Sequence, residues 1–558
     1  MVRRIINLLH QEIRGLHEAA YLLGVFALLS ALLGLVRDRV LAHLFGAGTI
    51  LDVYYASFRI PDLLFVGIAS LVSVYALIPF LTKENSEEEN RRFIGSVFSA
   101  FTIAISVIGI AFYFIMPKIL PIAFPSLVGS EYGGDFILLS QILLLQPILL
   151  GLSNIFASVT QVYGRFMLYA LGPVLYNIGT VIGALFLYEP FGILGLGFGV
   201  VLGALMHLSI QMPFIYKSKF LSKITLKINF SELWDVIRLS LPRTIALSSH
   251  NISFFVLIAF AALMAEGSVT VFNLSLHLHE VPLAIIGASY SVAAFPTLAR
   301  LFSNGDKGEF FDHILVATRH ILFWATPALV LFIVLRAQIV RVAFGSGAFD
   351  WSDTRLTAAS FALFIIALSA QSLSLLFIRG FYAAGKTRVP LIVNFLTAVL
   401  AIGLAYILVQ IFQSNMAFQE SVESLLRVEG ISGTVVLMLP LGYAIASFIN
   451  IAFLWIIFGR MFEGLSRHVG VMFFQVLSSS LLMGVAVHMS LNLLDDVFDL
   501  NTFWGIFLQG LISGVLGLIV LVSSLKLLKN KEIEEVWVSI RKKFWRANTV
   551  SADQSDLS

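Results

Sequence analysis

Residues 93–116 read FIGSVFSAFTIAISVIGIAFYFIM, an apolar run without one charged residue. The stretch before it, Lys83-Glu84-Asn85-Ser86-Glu87-Glu88-Glu89, cannot sit in lipid. A helix needs about 20 apolar residues to cross a hydrocarbon core of about 30 Å. The run therefore spells one membrane-crossing helix with a water-exposed start. Strands of a membrane barrel would alternate apolar and polar residues over about ten positions, and this run does not alternate.

The same pattern recurs in both directions. Spans are expected near 19–45, 52–82, 93–116, 136–160, 168–187, 193–215, 240–264, 269–299, 314–337, 354–381, 389–411, 431–458, 469–491 and 501–525. The composition agrees: 58% of the 558 residues are hydrophobic and 12% charged, where a soluble domain carries about 25% charged residues. The expected fold is all-α, a polytopic membrane protein with about 14 transmembrane helices in two bundles around a central cavity.

Basic residues set the orientation, because cytoplasmic connections carry an excess of Lys and Arg. With the N-terminus inside, the inner connections hold Lys83, Arg91, Arg92, Arg165, Lys217, Lys219, Lys223, Lys227, Lys307, Lys386, Arg388, Arg460 and Arg467. The outer ones are acidic instead, with Glu131, Glu189, Glu266, Asp350, Glu420, Glu423, Glu429, Asp495 and Asp496. An even number of spans with both termini cytoplasmic fits this alternation. The location is then the bacterial cytoplasmic (inner) membrane.

The domain reading follows from the same map. Residues 1–18 form a cytosolic amphipathic lead-in, with no cleavage site of a secretory signal. The basic cytosolic linker at 216–239 separates a lobe of six spans, 19–215, from the eight spans of 240–525. The basic tail, 526–558, is suited to anionic lipid of the inner leaflet. The longest outer loop, 412–430, reads either as a short surface helix or as a tolerated insertion.

Ionisable groups inside spans are expensive and point to function. The first span carries Arg37, Asp38 and Arg39; the second carries Asp52, Arg59 and Asp62. Arg59 and Asp62 share a helix face, either as an internal pair or as substrate contacts. Asp52 is either a site residue or the cap of its own helix. The seventh span contributes Arg243. In the eighth, Asn273, His277 and Glu280 fall on one face, with His279 beside them. This stripe reads either as a cavity wall or as a buried packing network. It is no clean metal-ligand cluster, so no metal is expected.

The chain contains no cysteine, which removes disulfides and thiolate chemistry. It also lacks the H-E-x-x-H, G-x-S-x-G and Walker sequences. The reading is therefore a transporter and not an enzyme, with no cofactor and no nucleic-acid partner. Cations in a low-dielectric cavity attract anions, and arginine's fork matches phosphate oxygens. A secondary transporter or flippase for an anionic substrate is expected. A non-transporting scaffold would show a tight, apolar bundle interior instead.

Four regions resemble the MurJ/MviN family of lipid II flippases, within the exporter superfamily that includes multidrug and polysaccharide flippases. They are Leu33-Gly34-Leu35-Val36-Arg37-Asp38, running on to Phe45-Gly46-Ala47-Gly48 and Asp52; Phe58-Arg59-Ile60-Pro61-Asp62-Leu63-Leu64; Tyr163-Gly164-Arg165-Phe166 with Gly172-Pro173-Val174-Leu175-Tyr176-Asn177; and Gly347-Ala348-Phe349-Asp350 with Asp353-Thr354 and Phe381–Pro390. The resemblance implies two lobes of six helices, at 19–215 and 240–458, and two additional transmembrane helices outside them, at 459–525. It implies alternating access around a V-shaped cavity whose arginines hold a pyrophosphate, and a groove for the lipid tail on the thirteenth and fourteenth helices. The cargo it implies is undecaprenyl-pyrophosphate-linked peptidoglycan precursor, lipid II, and the implied partners are membrane lipids and the cell-wall synthesis machinery.

Residue by residue, Arg37, Asp38, Asp52 and Arg59 match the family pattern, as do Glu280 and Pro282. The departures fall on cations. Ser30-Ala31 stands where the family has a serine-arginine pair, Phe65-Val66 where it has a basic pair, His277 in place of the eighth-span arginine, and Ser346 in place of a turn arginine. Arg39, Arg59, Arg243 or His279 are the compensating candidates. The alternative cargo is another polyprenyl-linked glycan or amphiphile.

Overall fold

A computed structural model describes residues 16–68, 71, 74–81, 86–220, 230–461, 465–536 and 538. Most of the lead-in, Lys223 and Lys227 of the linker, and the tail beyond 538 lie outside the described residues, as does the Arg243 side chain. The described chain is almost entirely α-helical, with no strand among the described residues. It is a polytopic all-α membrane protein.

In chain order the helices are α1 (Leu16–Phe45), α2 (Thr49–Ser57), α3 (Arg59–Ile68), α4 (Val74–Leu81), α5 (Glu87–Ala123), α6 (Gly133–Leu143), α7 (Leu145–Val162), α8 (Phe166–Ile182), α9 (Ile193–Ser209) and α10 (Phe230–Ala262). Then come α11 (Ser268–Pro282), α12 (Ser289–Ser303), α13 (Lys307–Val334), α14 (Trp351–Ile366), α15 (Leu368–Ala383), α16 (Arg388–Ser414), α17 (Met416–Leu426), α18 (Met438–Gly459), α19 (Leu465–Leu494) and α20 (Phe503–Leu527). Among the described residues, 10 helical stretches are long and apolar enough to cross a membrane, or 11 if α14 and α15, bent by 42°, form one span. The expected first, second and seventh spans fall on α1, on the series α2–α4, and on α10.

Local chemistry explains the boundaries. α5 starts at a capping box: Glu89 N–H donates to Ser86 Oγ, and Ser86 N–H donates to the Glu89 carboxylate. Both orphan amides are thereby satisfied. The second span, expected as one helix over 52–82, is broken at Phe58. Pro61 suits the restart: it lacks an N–H, and in a first helical turn that N–H has no intrahelical partner to lose, which is where α3 places it. Of the two readings of the 412–430 loop, the structure shows a short helix, α17, capped by the Asn415 side chain and ended by Arg427 at φ 60°.

The chain forms two compact units. The first comprises the described chain up to His277 with Ala343–Ser360 and Leu391–Ala446. Its core packs Phe93, Val97 and Phe101 of α5 against Ile155 and Val159 of α7. α8 and α9 approach so closely that a Cβ on Gly179 would lie 2.3 Å from Gly203 Cα. The second comprises Leu278–Val342, Phe361–Pro390 and the described chain from Ser447. There Phe458 gathers Phe310, Phe377 and Phe381 around itself, all three fully buried.

Candidate functional site

The first unit collects polar side chains from α1, α2, α3, α8 and α11. Arg37 donates Nε and Nη2 to one oxygen of Asp38, at 2.9 and 2.8 Å. The other Asp38 oxygen meets His277 Nδ1 at 2.8 Å. A carboxylate only accepts, so Nδ1 carries the proton. Arg37 Nη1 also reaches Asn177 Oδ1 at 3.3 Å. Asn177 is held in turn by donating to the Ser30 carbonyl and hydroxyl and to the Pro173 carbonyl. The Tyr55 ring stands edge-on to His277 at 6.0 Å.

Exposure separates these groups. The Asp38 side chain is 2% exposed, whereas Arg37 keeps 21% and His277 27%. The shared carboxylate is covered and the two nitrogen-bearing groups remain reachable. One helical turn nearer the start of α11, Arg59 Nη2 donates to Asn273 Oδ1 at 3.1 Å, and Arg59 Nε donates to the Tyr55 carbonyl. Asn273 fixes its own amide on the Val269 carbonyl. Each arginine is thus aimed by an asparagine whose own rotamer is locked.

Asp52 ends the polar row. It is buried and accepts from Gly267 N–H, Thr270 N–H and Thr270 Oγ at 2.7–2.8 Å. It does not cap its own helix, since α2 begins at Gly48 without a side-chain cap. It caps α11 instead, satisfying amides that a helix start leaves orphaned. The bend at 46–49 is tied to the same region. Glu266 accepts from the Thr49 hydroxyl at 2.7 Å and its amide at 3.0 Å. Those bonds, the hydroxyl's first, hold the Glu266 carboxyl below its ordinary range. Asp353 accepts from Ala47 N–H, and Ser346, where the resemblance expects arginine, meets His43 Nδ1 at 3.1 Å.

A guanidinium and an imidazole that share one covered carboxylate, with a second guanidinium nearby on Asn273, can receive an anion through charge-assisted hydrogen bonds. The comparison with known families agrees in kind. The family model described as "Lipid II flippase MurJ" matches residues 41–508. The chain belongs to this family. A probable lipid II flippase MurJ of Buchnera aphidicola is 27% identical over 390 residues, covering 68% of this chain and 75% of that protein. A solved lipid II flippase MurJ in an inward closed conformation superposes with TM-score 0.72 at 22% identity, covering 91% of this chain and 99% of that one. A multidrug-resistance MATE transporter in an inward-facing conformation gives TM-score 0.61 at 18% identity, over 79% and 95%. These two likenesses speak for the fold.

Family membership places the protein in the inner membrane as a transporter and not an enzyme, acting on a lipid-linked glycan. Of the residues singled out in the sequence, Arg37, Asp38, Asp52, Arg59, Asn273 and His277 come together in the first unit. Asp62 is half-buried on α3, and Arg39 reaches the Ala343 carbonyl at 3.5 Å. Glu280 is exposed and belongs to the second unit. His279, also there, is buried on Gln371 at 3.1 Å and stacked on Phe364. The residues not singled out are Ser30, Tyr55, Asn177 and Thr270. A signal existed for Asn177: a lone amide in an apolar span, four residues after Pro173, whose carbonyl it bonds.

Proposed function

We propose that the protein flips undecaprenyl-pyrophosphate-linked peptidoglycan precursor, lipid II, from the inner to the outer leaflet by alternating access. The observation that carries this reading is the Arg37–Asp38–His277 cluster, with two partly exposed donors on one covered carboxylate. In the free protein Asp38 neutralises the cluster, so charge within a span is not left unpaired. An arriving pyrophosphate competes with Asp38 for Arg37 and His277, and Arg59 adds a second guanidinium. Exchanging one anion for another keeps the net cost of loading small. It also lets the cargo leave on the far side, because Asp38 retakes its partners.

The architecture that goes with this reading has fourteen spans, with lobes at 19–215 and 240–458, two further helices at 459–525 and both termini cytoplasmic. Its cavity residues are Arg37, Asp38, Asp52, Arg59, Asn273, His277 and Glu280, with Arg39, Asp62, Arg243 and His279 as additional candidates. Asp52 acts indirectly, by fixing the start of the helix that carries Asn273 and His277. Cells depleted of their own flippase test the function: the wild-type chain rescues growth and Arg37→Ala does not. Normal growth with Arg37→Ala would sink the site assignment.

A second reading, export of another polyprenyl-linked glycan, draws on the substituted cations at Ala31, His277 and Ser346. Comparing the binding of purified protein to lipid II and to other polyprenyl-pyrophosphate glycans separates the two. Preference for a different glycan would replace the first reading.

A further inference from the structure

The second unit carries a pair of adjacent basic residues that the site does not use. Arg319 and His320 lie on α13, Arg319 about 18 Å along the helix from Lys307 at 1.5 Å per residue. Both are partly buried, and Arg319 Nε and His320 Nδ1 have no hydrogen-bond partner among the described residues. The chain that follows α20 comes back to meet them. It turns at Lys529, which has φ 52°. Asn530 then caps the next helical turn, accepting from Ile533 N–H at 3.3 Å. The turn is fastened to α19, because Asn530 donates to Gln475 Oε1 at 3.0 Å and Gln475 donates to the Leu528 carbonyl at 3.2 Å.

The helical residues 531–536 now present their acids. Glu532, only 3% exposed, forms an ion pair with Arg319. Glu535 lies 3.6 Å from His320 Nε2. The His320 ring is stacked parallel on Tyr290 at 6.0 Å, and Trp324 Nε1 donates to the Tyr290 hydroxyl at 3.0 Å. Tyr290 stands at the start of α12. Through the π-helical residues Leu283–Ala288, α12 continues α11, the helix of Asn273 and His277.

We propose that residues 531–536 are a strap that clamps α13 to α12, and that transport requires the strap to be attached. The charge order of the tail specifies the docking. Its acids, Glu532, Glu534 and Glu535, come at the helix start, where the backbone dipole favours them. Lys531, which opens the strap, is exposed, and the basic cluster Arg541, Lys542, Lys543 and Arg546 comes later in the sequence and would repel Arg319. A covered carboxylate facing a partly covered guanidinium makes release costly, since it leaves the Glu532 charge buried and uncompensated. The strap therefore holds the continuation of the site helix against its neighbour while the site loads.

The test uses the full chain in nanodiscs of phosphatidylethanolamine and phosphatidylglycerol. Amide hydrogen exchange is read over 531–536 and 289–303 in Arg319→Glu, in Glu532→Arg and in the double swap. Each single reversal speeds exchange in both segments by about a hundredfold, as expected for breaking a buried charge pair, and the double swap restores protection. The same order appears in rescue of flippase-depleted cells. Exchange unchanged in 289–303, or no restoration by the double swap, overturns the clamp. Full rescue by a variant whose strap exchanges freely overturns its role in transport. Should the reversals not fold, Glu535→Gln opens only the outer pair, and its exchange must still rise in 531–536 at an unchanged melting temperature. The transport arm rests on the proposed function, whereas the exchange arm does not, so a wild-type chain that fails to rescue leaves the clamp standing.

Discussion

Asp52 and Thr270 lie 218 residues apart, and one oxygen of the Asp52 carboxylate accepts both the amide and the hydroxyl of Thr270 at 2.7 Å. A side chain from α2 therefore starts α11. Hydrogen bonds to a charged group contribute about 1.5–3 kcal/mol each. Asp52→Ala removes three and orphans two helix-start amides, so a loss of about 4.5 kcal/mol or more is expected. Thr270→Val removes only the hydroxyl and should cost about 1.5 kcal/mol. Thermal unfolding of the purified variants measures both. The double variant should lose no more than Asp52→Ala alone, because the two changes delete a shared contact.

The candidate clamp makes a prediction in the opposite direction. His277 occupies the position where the family pattern has arginine, with Asp38 as its partner at 2.8 Å. His277→Arg restores a permanent cation with a bidentate fork. Affinity for lipid II should rise about tenfold, equivalent to about 1.4 kcal/mol and within the range of one charge-assisted bond. Titration of the purified variant with lipid II checks this. Equal or weaker binding would show that His277 is not part of the pyrophosphate grip.

How far the sequence reaches is visible in these residues. A polytopic all-α membrane fold was legible because lipid leaves one solution for a long apolar run, and Arg37, Asp38 and His277 stood out because charge inside a span is expensive. The partner of Asp52 was not legible. Capping its own helix and capping a helix 218 residues away leave the same local pattern. The roles of Asn177 and Ser30 were hidden for a related reason: a neutral amide and a hydroxyl carry no charge signal, and their meaning comes from the guanidinium that packing brings to them. Nor does the sequence show that Pro61 sits in the first turn of a new helix, because that depends on where the preceding turn at Phe58 ends.

Backbone shape at the bend supplies a third prediction. Gly267 has φ +83°, and a Cβ there would lie 2.3 Å from the Ala47 carbonyl oxygen. Gly46 has φ +64°, and its Cβ would lie 2.6 Å from the Ala348 carbonyl oxygen. Side chains strain in this region, and here backbone atoms block them as well. Gly267→Ala should cost about 2 kcal/mol or more, with Gly46→Ala close behind. Gly305→Ala is the control, because its φ of +85° is comparable while its Cβ position is open. Melting temperatures should fall in that order, the control least.

The last prediction concerns acid. Glu266 is exposed and is held below the ordinary value of 4.5 by the Thr49 hydroxyl and then the Thr49 amide. A carboxyl whose folded value is depressed binds its proton more readily in the unfolded chain. Its contribution is therefore fully present above the ordinary value and is lost as pH falls through the lower folded one. Glu266→Gln keeps an acceptor for Thr49 but removes the charge. At neutral pH the variant should melt slightly below the wild type, and the gap should close as pH drops below about 4.5, the range in which glutamate protonates. Parallel melting curves from pH 7 to pH 3.5 give the comparison. A gap that stays constant would mean that the Thr49 bond is made equally well by a neutral side chain, and that the Glu266 charge does not hold the bend.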